Sequence, residues 1–231
     1  GKSISVKATM VERLIVGPMD TNCYIYSNGK KECVIIDPGA EEERIIAGVN
    51  MLKMVPMGIV LTHGHFDHTG AVGALREHYR KEKIEVQVAI HAADRKFLGR
   101  TARKANLDAL SYLGMDETHE LQGQFTGLPE PDLILAEGDK VFSSGLVVLE
   151  TPGHTRGGIC LYSEKDALLF SGDTLFFMGV GRADLPGGNE KPLLESIRAK
   201  LLTLPPETRV FPGHGLDTTV EREIKGNPFI R

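Results

Sequence analysis

Leu61-Thr62-His63-Gly64-His65-Phe66-Asp67-His68-Thr69-Gly70 gathers three imidazoles and a carboxylate between positions 63 and 68. An apolar run over 57–61 leads into it and reads as a buried strand, and residues 71–79 follow with helical spacing. The loop is therefore expected at the carboxyl end of a strand, where α/β sheets place their chemistry. In an extended segment His63 and His65 point the same way, while Asp67 and His68 can turn towards a second position. One loop can thus serve two neighbouring ions, and imidazole with carboxylate suits zinc, iron or manganese. The plainer alternative is a polar surface loop with clustered histidines. It is disfavoured because three of the chain's eight histidines fall here.

Upstream, residues 9–16, 23–27 and 32–36 are rich in Val, Ile and Tyr and are separated by Gly17-Pro18 and Asn28-Gly29, which predicts a β-meander. It ends at Asp37-Pro38-Gly39. Residues 41–53 then carry Ile45, Ile46, Val49 and Leu52 at helical spacing behind an acidic first turn. Downstream of the histidine loop, 85–90 predicts a strand and His91 opens a helix. The stretch 99–131 reads as a largely helical insertion, placed to wall or cover a pocket. Strands are predicted again at 140–142, 146–150, 159–163 and 167–170, a helix at 191–204 with Pro192 in its first turn, and a last strand at 209–211. Each half reads as a meander followed by helix and strand. The expected α/β fold is an αββα sandwich, two mixed sheets face to face with helices outside, formed by 1–231 as one domain.

Composition is that of an ordinary globular chain, with 41% hydrophobic and 25% charged residues among 231. A net charge of −4 makes nucleic acid an unexpected partner, and no apolar run approaches a membrane span, so a small-molecule substrate is expected. Cys23, Cys33 and Cys160 are odd in number, lack CxxC spacing and sit in strand-like runs, as reduced thiols of a cytoplasmic protein would. Oligomeric state is not legible.

Three later loops each follow a predicted strand and carry one metal-capable residue. They are Thr151-Pro152-Gly153-His154-Thr155, Ser171-Gly172-Asp173-Thr174 and Phe211-Pro212-Gly213-His214-Gly215. Singly each is weak; four loops at strand ends are strong together. The series His63-x-His65-x-Asp67-His68, His154, Asp173, His214 resembles the signature of the metallo-β-lactamase superfamily, and the flanking words are similar to its glyoxalase II (hydroxyacylglutathione hydrolase) branch. The resemblance implies two divalent metal ions, zinc first with iron or manganese as alternatives. By residue, it implies that His63, His65 and His154 hold one ion, that Asp67, His68 and His214 hold the second, and that Asp173 bridges them. Asp37 matches the family's early acidic position, a support behind the ligands. Asp67 and Asp173 are the carboxylates implied at the catalytic centre.

Such a centre suits thioester hydrolysis. Two cations that share a water lower its pKa towards about 7, and a thiolate leaving group, its thiol pKa near 8.5, needs no dedicated general acid. No G-x-S-x-G elbow offers a protein nucleophile.

The chain also departs from glyoxalase II. The stretch after His214 is too short for that enzyme's C-terminal helical domain. The family's G-C-G-K-F-F loop is replaced by Gly179-Val180-Gly181-Arg182-Ala183-Asp184-Leu185-Pro186-Gly187-Gly188. Arg182 is the candidate to bind a substrate carboxylate, with a loop-structuring Arg182–Asp184 pair as the equal alternative. These features are similar to compact glyoxalase II-like proteins of prokaryotes. The Gly-Arg-x-Asp loop is also similar to persulfide dioxygenases, which use one iron; their last motif, Ala-His-Asp-Tyr, differs from Gly213-His214-Gly215-Leu216 here, which favours the two-metal hydrolase. Hydrolysis of a lactone or phosphoester is a further alternative, as is a non-catalytic metal-binding module. His91 is expected to cap or pack, and His78 and His119 to be solvated.

Overall fold

The computed structural model of the protein describes residues 9–115, 125 and 127–231. Strands β1 (Met10–Val16), β2 (Thr21–Ser27) and β3 (Glu32–Ile36) form the antiparallel meander. Helix α1 (Glu42–Met51) has Glu42 and Glu43 in its first turn, favourable against the partial positive charge of a helix N-terminus, and buries Ile45 and Val49. The chain continues through β4 (Val55–Val60), the short helix α2 (Phe66–Thr69), α3 (Val72–Lys81) and β5 (Gln87–His91). Beyond the 3₁₀ turns at Ala92–Phe97 and Gly99–Thr101 come α4 (Ala102–Tyr112) and β6 (Leu133–Leu135). Strands β4, β5 and β6 join β3 in parallel, giving the sheet order β1-β2-β3-β4-β5-β6.

The second half repeats the plan. Strands β7 (Lys140–Val141), β8 (Leu146–Glu150), β9 (Ile159–Ser163) and β10 (Leu168–Gly172) pair antiparallel in succession. A small hairpin of β11 (Leu175–Phe176) and β12 (Gly179–Val180) follows, then helix α5 (Glu190–Ser196) with a π-helical extension Ile197–Leu201. Strand β13 (Arg209–Pro212) lies parallel to β10, and β14 (Thr218–Thr219) and α6 (Val220–Gly226) end the chain. Among the described residues the second sheet runs β14-β13-β10-β9-β8-β7.

The strand pleat explains the layers. In β2, Tyr24 and Tyr26 pack on Val148, Leu161 and Phe170 of the opposite sheet, while Cys23 and Ile25 face Ile45, Val49 and Leu75 of α1 and α3. Both faces of the strand are covered, so it is buried throughout and its sequence lacks polar alternation. On the far side, Cys160, Leu169 and Val210 meet Leu193, Ile197 and Leu201 of α5 and its extension. The result is the αββα order expected from the sequence.

The differences are local. The helix predicted from His91 is a 3₁₀ turn, capped by His91 Nδ1 accepting from the Ala93 N–H at 3.1 Å. Strands β6, β11, β12 and β14 and helix α6 were not foreseen; the strands have two or three residues each, too few for a period to show. The predicted insertion is represented by the Gly99 turn and α4. Residues 116–124 and 126, and with them the reading of His119, lie outside the described residues.

Candidate metal centre

The turns that leave β4, β8, β10 and β13 meet along one edge of the sandwich. Thr21 and His214 form a lone bridge there between the two sheets. The Asn22 N–H donates to Gly213 O at 2.7 Å, Asn22 Nδ2 to Pro212 O and Gly215 O at 3.0 and 2.9 Å, and the Tyr24 hydroxyl to Pro212 O at 2.6 Å. The start of β2 thus fixes the His214 turn. Glycine is required at position 213, because a Cβ there would run into Asp173 Oδ1 and the His68 ring. Gly172 has φ +50° and faces the Thr62 side chain, so the turn bearing Asp173 tolerates no larger residue.

Two clusters result. One donor atom from each of His63, His65 and His154 lies within 4.8 Å of the others, and so do those of Asp67, His68, Asp173 and His214. Asp173 stands between them. Its Oδ2 is 3.8 Å from His63 Nε2, 3.4 Å from His154 Nε2 and 3.4 Å from His214 Nε2, while Oδ1 is 3.3 Å from His68 Nε2. Asp67 Oδ2 is 3.3 Å from His68 Nε2 and 3.2 Å from His214 Nε2, and accepts from the Thr21 hydroxyl at 3.1 Å.

The outer nitrogens decide the tautomers. A carbonyl only accepts, so His154 Nδ1 donates to Arg182 O at 2.7 Å and His214 Nδ1 donates to Met19 O at 3.1 Å. His68 Nδ1 donates to Asp37 Oδ2 at 2.8 Å. Thr62 Oγ1 donates to the same carboxylate oxygen at 2.6 Å and so accepts from His63 Nδ1 at 3.1 Å. With the outer Nδ1 of each of these four rings fixed as the donor, Nε2 is the nitrogen that faces inward. Asp37 reaches its partners from a left-handed backbone, φ +53°, at a position before proline where extended backbone is usual.

The inner atoms fit a cation. Nε2 of His63, His65 and His68 and Oδ1 of Asp173 are buried with no hydrogen-bond partner, which native interiors rarely leave uncompensated. His65 Nδ1 and His154 Nε2 approach to 3.0 Å. Burial and the neighbouring His154 push His65 down to about 3, and burial with the nearby His68 takes His63 well below the usual imidazole range, so both rings stay neutral donors. Burial alone would raise Asp67 and Asp173, but His68 and His214 outweigh it and hold both well below the carboxylate range. Conversely, burial opposes charge on His68 and His214. Asp173 and Asp67 prevail, raising His68 well above its usual value and His214 to about 10.

Asp94 was missed by the sequence reading. It is 1% exposed and joins two histidine-bearing turns, accepting from Gly64 N–H at 2.9 Å, Thr155 Oγ1 at 2.8 Å and Gly157 N–H at 2.8 Å. A carboxylate just past a predicted strand was its available signal; His91 from the same segment drew the reading instead. His91 lies away from the centre, with Nε2 2.8 Å from Glu150 Oε1. Arg182 does reach the cavity above the clusters, yet its Nε and Nη2 donate to Asp184 at 2.7 and 2.8 Å, the loop-structuring pair considered above.

The model of the metallo-beta-lactamase superfamily matches residues 16–214. Hydroxyacylglutathione hydrolase GloC of Haemophilus influenzae is 33% identical over 228 residues, covering 95% of this chain and 97% of that protein. The crystal structure of TTHA1623 in a di-iron-bound form superposes with a TM-score of 0.76 at 37% identity, covering 95% of this chain and all (100%) of the other. That of ETHE1 from Myxococcus xanthus gives a TM-score of 0.71 at 28% identity, covering 95% and 83%.

Proposed function

This chain belongs to the metallo-beta-lactamase superfamily as a metal-dependent hydrolase, and on that premise we propose that it is a two-metal thioester hydrolase acting on acyl thioesters of the 2-hydroxyacylglutathione kind. One observation carries the reading: four imidazole rings with proton-fixed outer faces converge with two ionised carboxylates on a centre where Nε2 of His63, His65 and His68 and Oδ1 of Asp173 are buried without a hydrogen-bond partner. His63, His65 and His154 would hold one divalent ion, and Asp67, His68 and His214 the other, with Asp173 between. Zinc is the first assignment, and iron and manganese accept the same donors. When bound, the ions supply Lewis acidity towards a carbonyl oxygen and lower the pKa of an attacking water. The 33% identity to GloC supports the thioester assignment.

The chain's own residues supply the rest. Asp37, Thr62 and the carbonyls of Met19 and Arg182 keep the rings in register and in the tautomer that leaves Nε2 free. Asp67 and Asp173 remain ionised, the form in which a carboxylate can hold a cation. The buried, unreactive thiols Cys23, Cys33 and Cys160, each with its pKa raised first by desolvation, take no part and agree with a reducing compartment such as the cytoplasm. No helix among the described residues is long and apolar enough to cross a membrane.

The test pairs metal analysis of the purified protein with assays on S-lactoylglutathione and glutathione persulfide. About two ions per chain with thioester cleavage is the expected result. About one iron per chain, oxygen uptake on the persulfide and no thioester cleavage would assign a dioxygenase instead, the reading that the ETHE1 likeness supports.

A further inference from the structure

The cavity above the two clusters has a volume of about 440 Å³, the size of a small-molecule site. Its floor is the polar group already described. Its wall is different in kind. Leu110, Leu113 and Met115 line it from the end of α4, Phe66 from α2, Phe176 from β11 and Met19 from the turn between β1 and β2.

Arg182 is the one lysine or arginine among the described lining residues, and Asp184 already holds its guanidinium through two hydrogen bonds. A carboxylate or ammonium laid on this wall would lose hydration and find no partner there. An apolar group would gain. Met19 and Met115 at the rim are 48% and 42% exposed, whereas Leu110 deeper in is 1% exposed. The rim therefore offers apolar surface that a bound chain would remove from water, and unbranched thioether side chains adapt to chains of different shape.

We propose that the site selects thioesters whose acyl portion is apolar: an alkyl or aryl group of about four carbons or more beyond the carbonyl, lying on the wall of Leu110, Leu113 and Met115. This rests on the thioesterase reading and narrows it. The hydroxyl of a 2-hydroxyacyl group would stay beside the polar floor, and the carbons beyond it would contact the wall. The predicted insertion thereby acquires a role, since the described part of it builds this wall.

The experiment uses the metal-loaded full chain and one thiol, glutathione, esterified with acetyl, butanoyl, hexanoyl, phenylacetyl and succinyl groups. Burial of a methylene corresponds to about a three- to fourfold gain in kcat/KM, so the series should rise by about that factor per carbon up to hexanoyl. Succinyl, matching butanoyl in length but charged, should be at least tenfold poorer. Leu113→Lys, at a half-buried position, should raise KM for the hexanoyl ester and flatten the series, with unfolding curves recorded alongside. A flat or falling series in the unaltered protein, or preference for succinyl, overturns the apolar acyl site and leaves the thioesterase reading standing. Absence of cleavage of every ester by protein carrying both ions overturns the two together.

Discussion

Asp94 and Thr155 are joined by a 2.8 Å hydrogen bond that ties the turn after β5 to the turn bearing His154. The same carboxylate also accepts from Gly64, between His63 and His65, and from Gly157. One buried side chain therefore sets the spacing of the three histidines of the first cluster. Burial dominates its ionisation and leaves its pKa raised despite three donors, two of them backbone N–H groups that no other side chain serves. Asp94→Ala would strand those N–H groups, at about 1–3 kcal/mol for each buried donor. We expect urea denaturation to show a loss of about 3 kcal/mol, and metal titration to show about ten- to hundredfold weaker binding at one of the two sites. Unchanged affinity at both sites would mean that Asp94 only stabilises the fold.

Asp173 is the carboxylate with a histidine of each cluster within 3.4 Å. Removing it should affect both sites at once. For Asp173→Ala the expected metal content falls from about two ions per chain to one or fewer. Turnover should fall by more than the ten- to hundredfold typical of a lost outer partner. Two ions retained at wild-type turnover would end its assignment as the shared ligand.

The sandwich and the turns bearing the candidate ligands were legible because their signals are local. His63 to His68 lie in one loop, and each remaining candidate sits beside glycine or proline just after an apolar run. Of the supports behind them, Asp37 was matched through the family resemblance and the others were not legible. Asp94, Met19, Asn22 and Thr21 act through contacts as much as 195 positions apart, as between Met19 and His214, and nothing in their neighbouring residues marks them. Arg182 illustrates the opposite limit. Its sequence admitted two partners, and only geometry shows the guanidinium on Asp184. The apolar character of the wall was hidden for a similar reason, since it combines residues from four separate segments.

Metal loading should release protons. His68 is raised well above its usual value and His214 to about 10, burial opposing and Asp173 with Asp67 prevailing, so at neutral pH both rings bind protons strongly. A cation must displace them from the inward nitrogens. The sign follows: apparent affinity at the second cluster should weaken as pH falls and strengthen as pH rises towards about 10. His63 and His65, both lowered, contribute no such dependence at neutral pH. Calorimetric titration of chelator-treated protein with Zn²⁺, in two buffers of different ionisation enthalpy, should give one to two protons released per chain. Identical apparent enthalpies in the two buffers would contradict this.

Gly213→Ala tests how tightly the centre is packed. The added methyl would meet Asp173 Oδ1, and the His68 ring carbon Cε1 at 2.8 Å, well inside van der Waals contact. The backbone here is held by Asn22 N–H donating to Gly213 O at 2.7 Å and by Gly213 N–H donating to Gly172 O at 2.8 Å, so it cannot withdraw without losing buried hydrogen bonds. Asp173 and His68 must move instead. A displacement of about 1 Å at a reacting centre can cost about a hundredfold in rate, and that is the loss expected in kcat. The strand cores of both sheets lie behind the turn, so far-ultraviolet circular dichroism should be unchanged. Full activity in Gly213→Ala would show that the two clusters are looser than their contacts imply, and that Asp173 can be displaced without consequence.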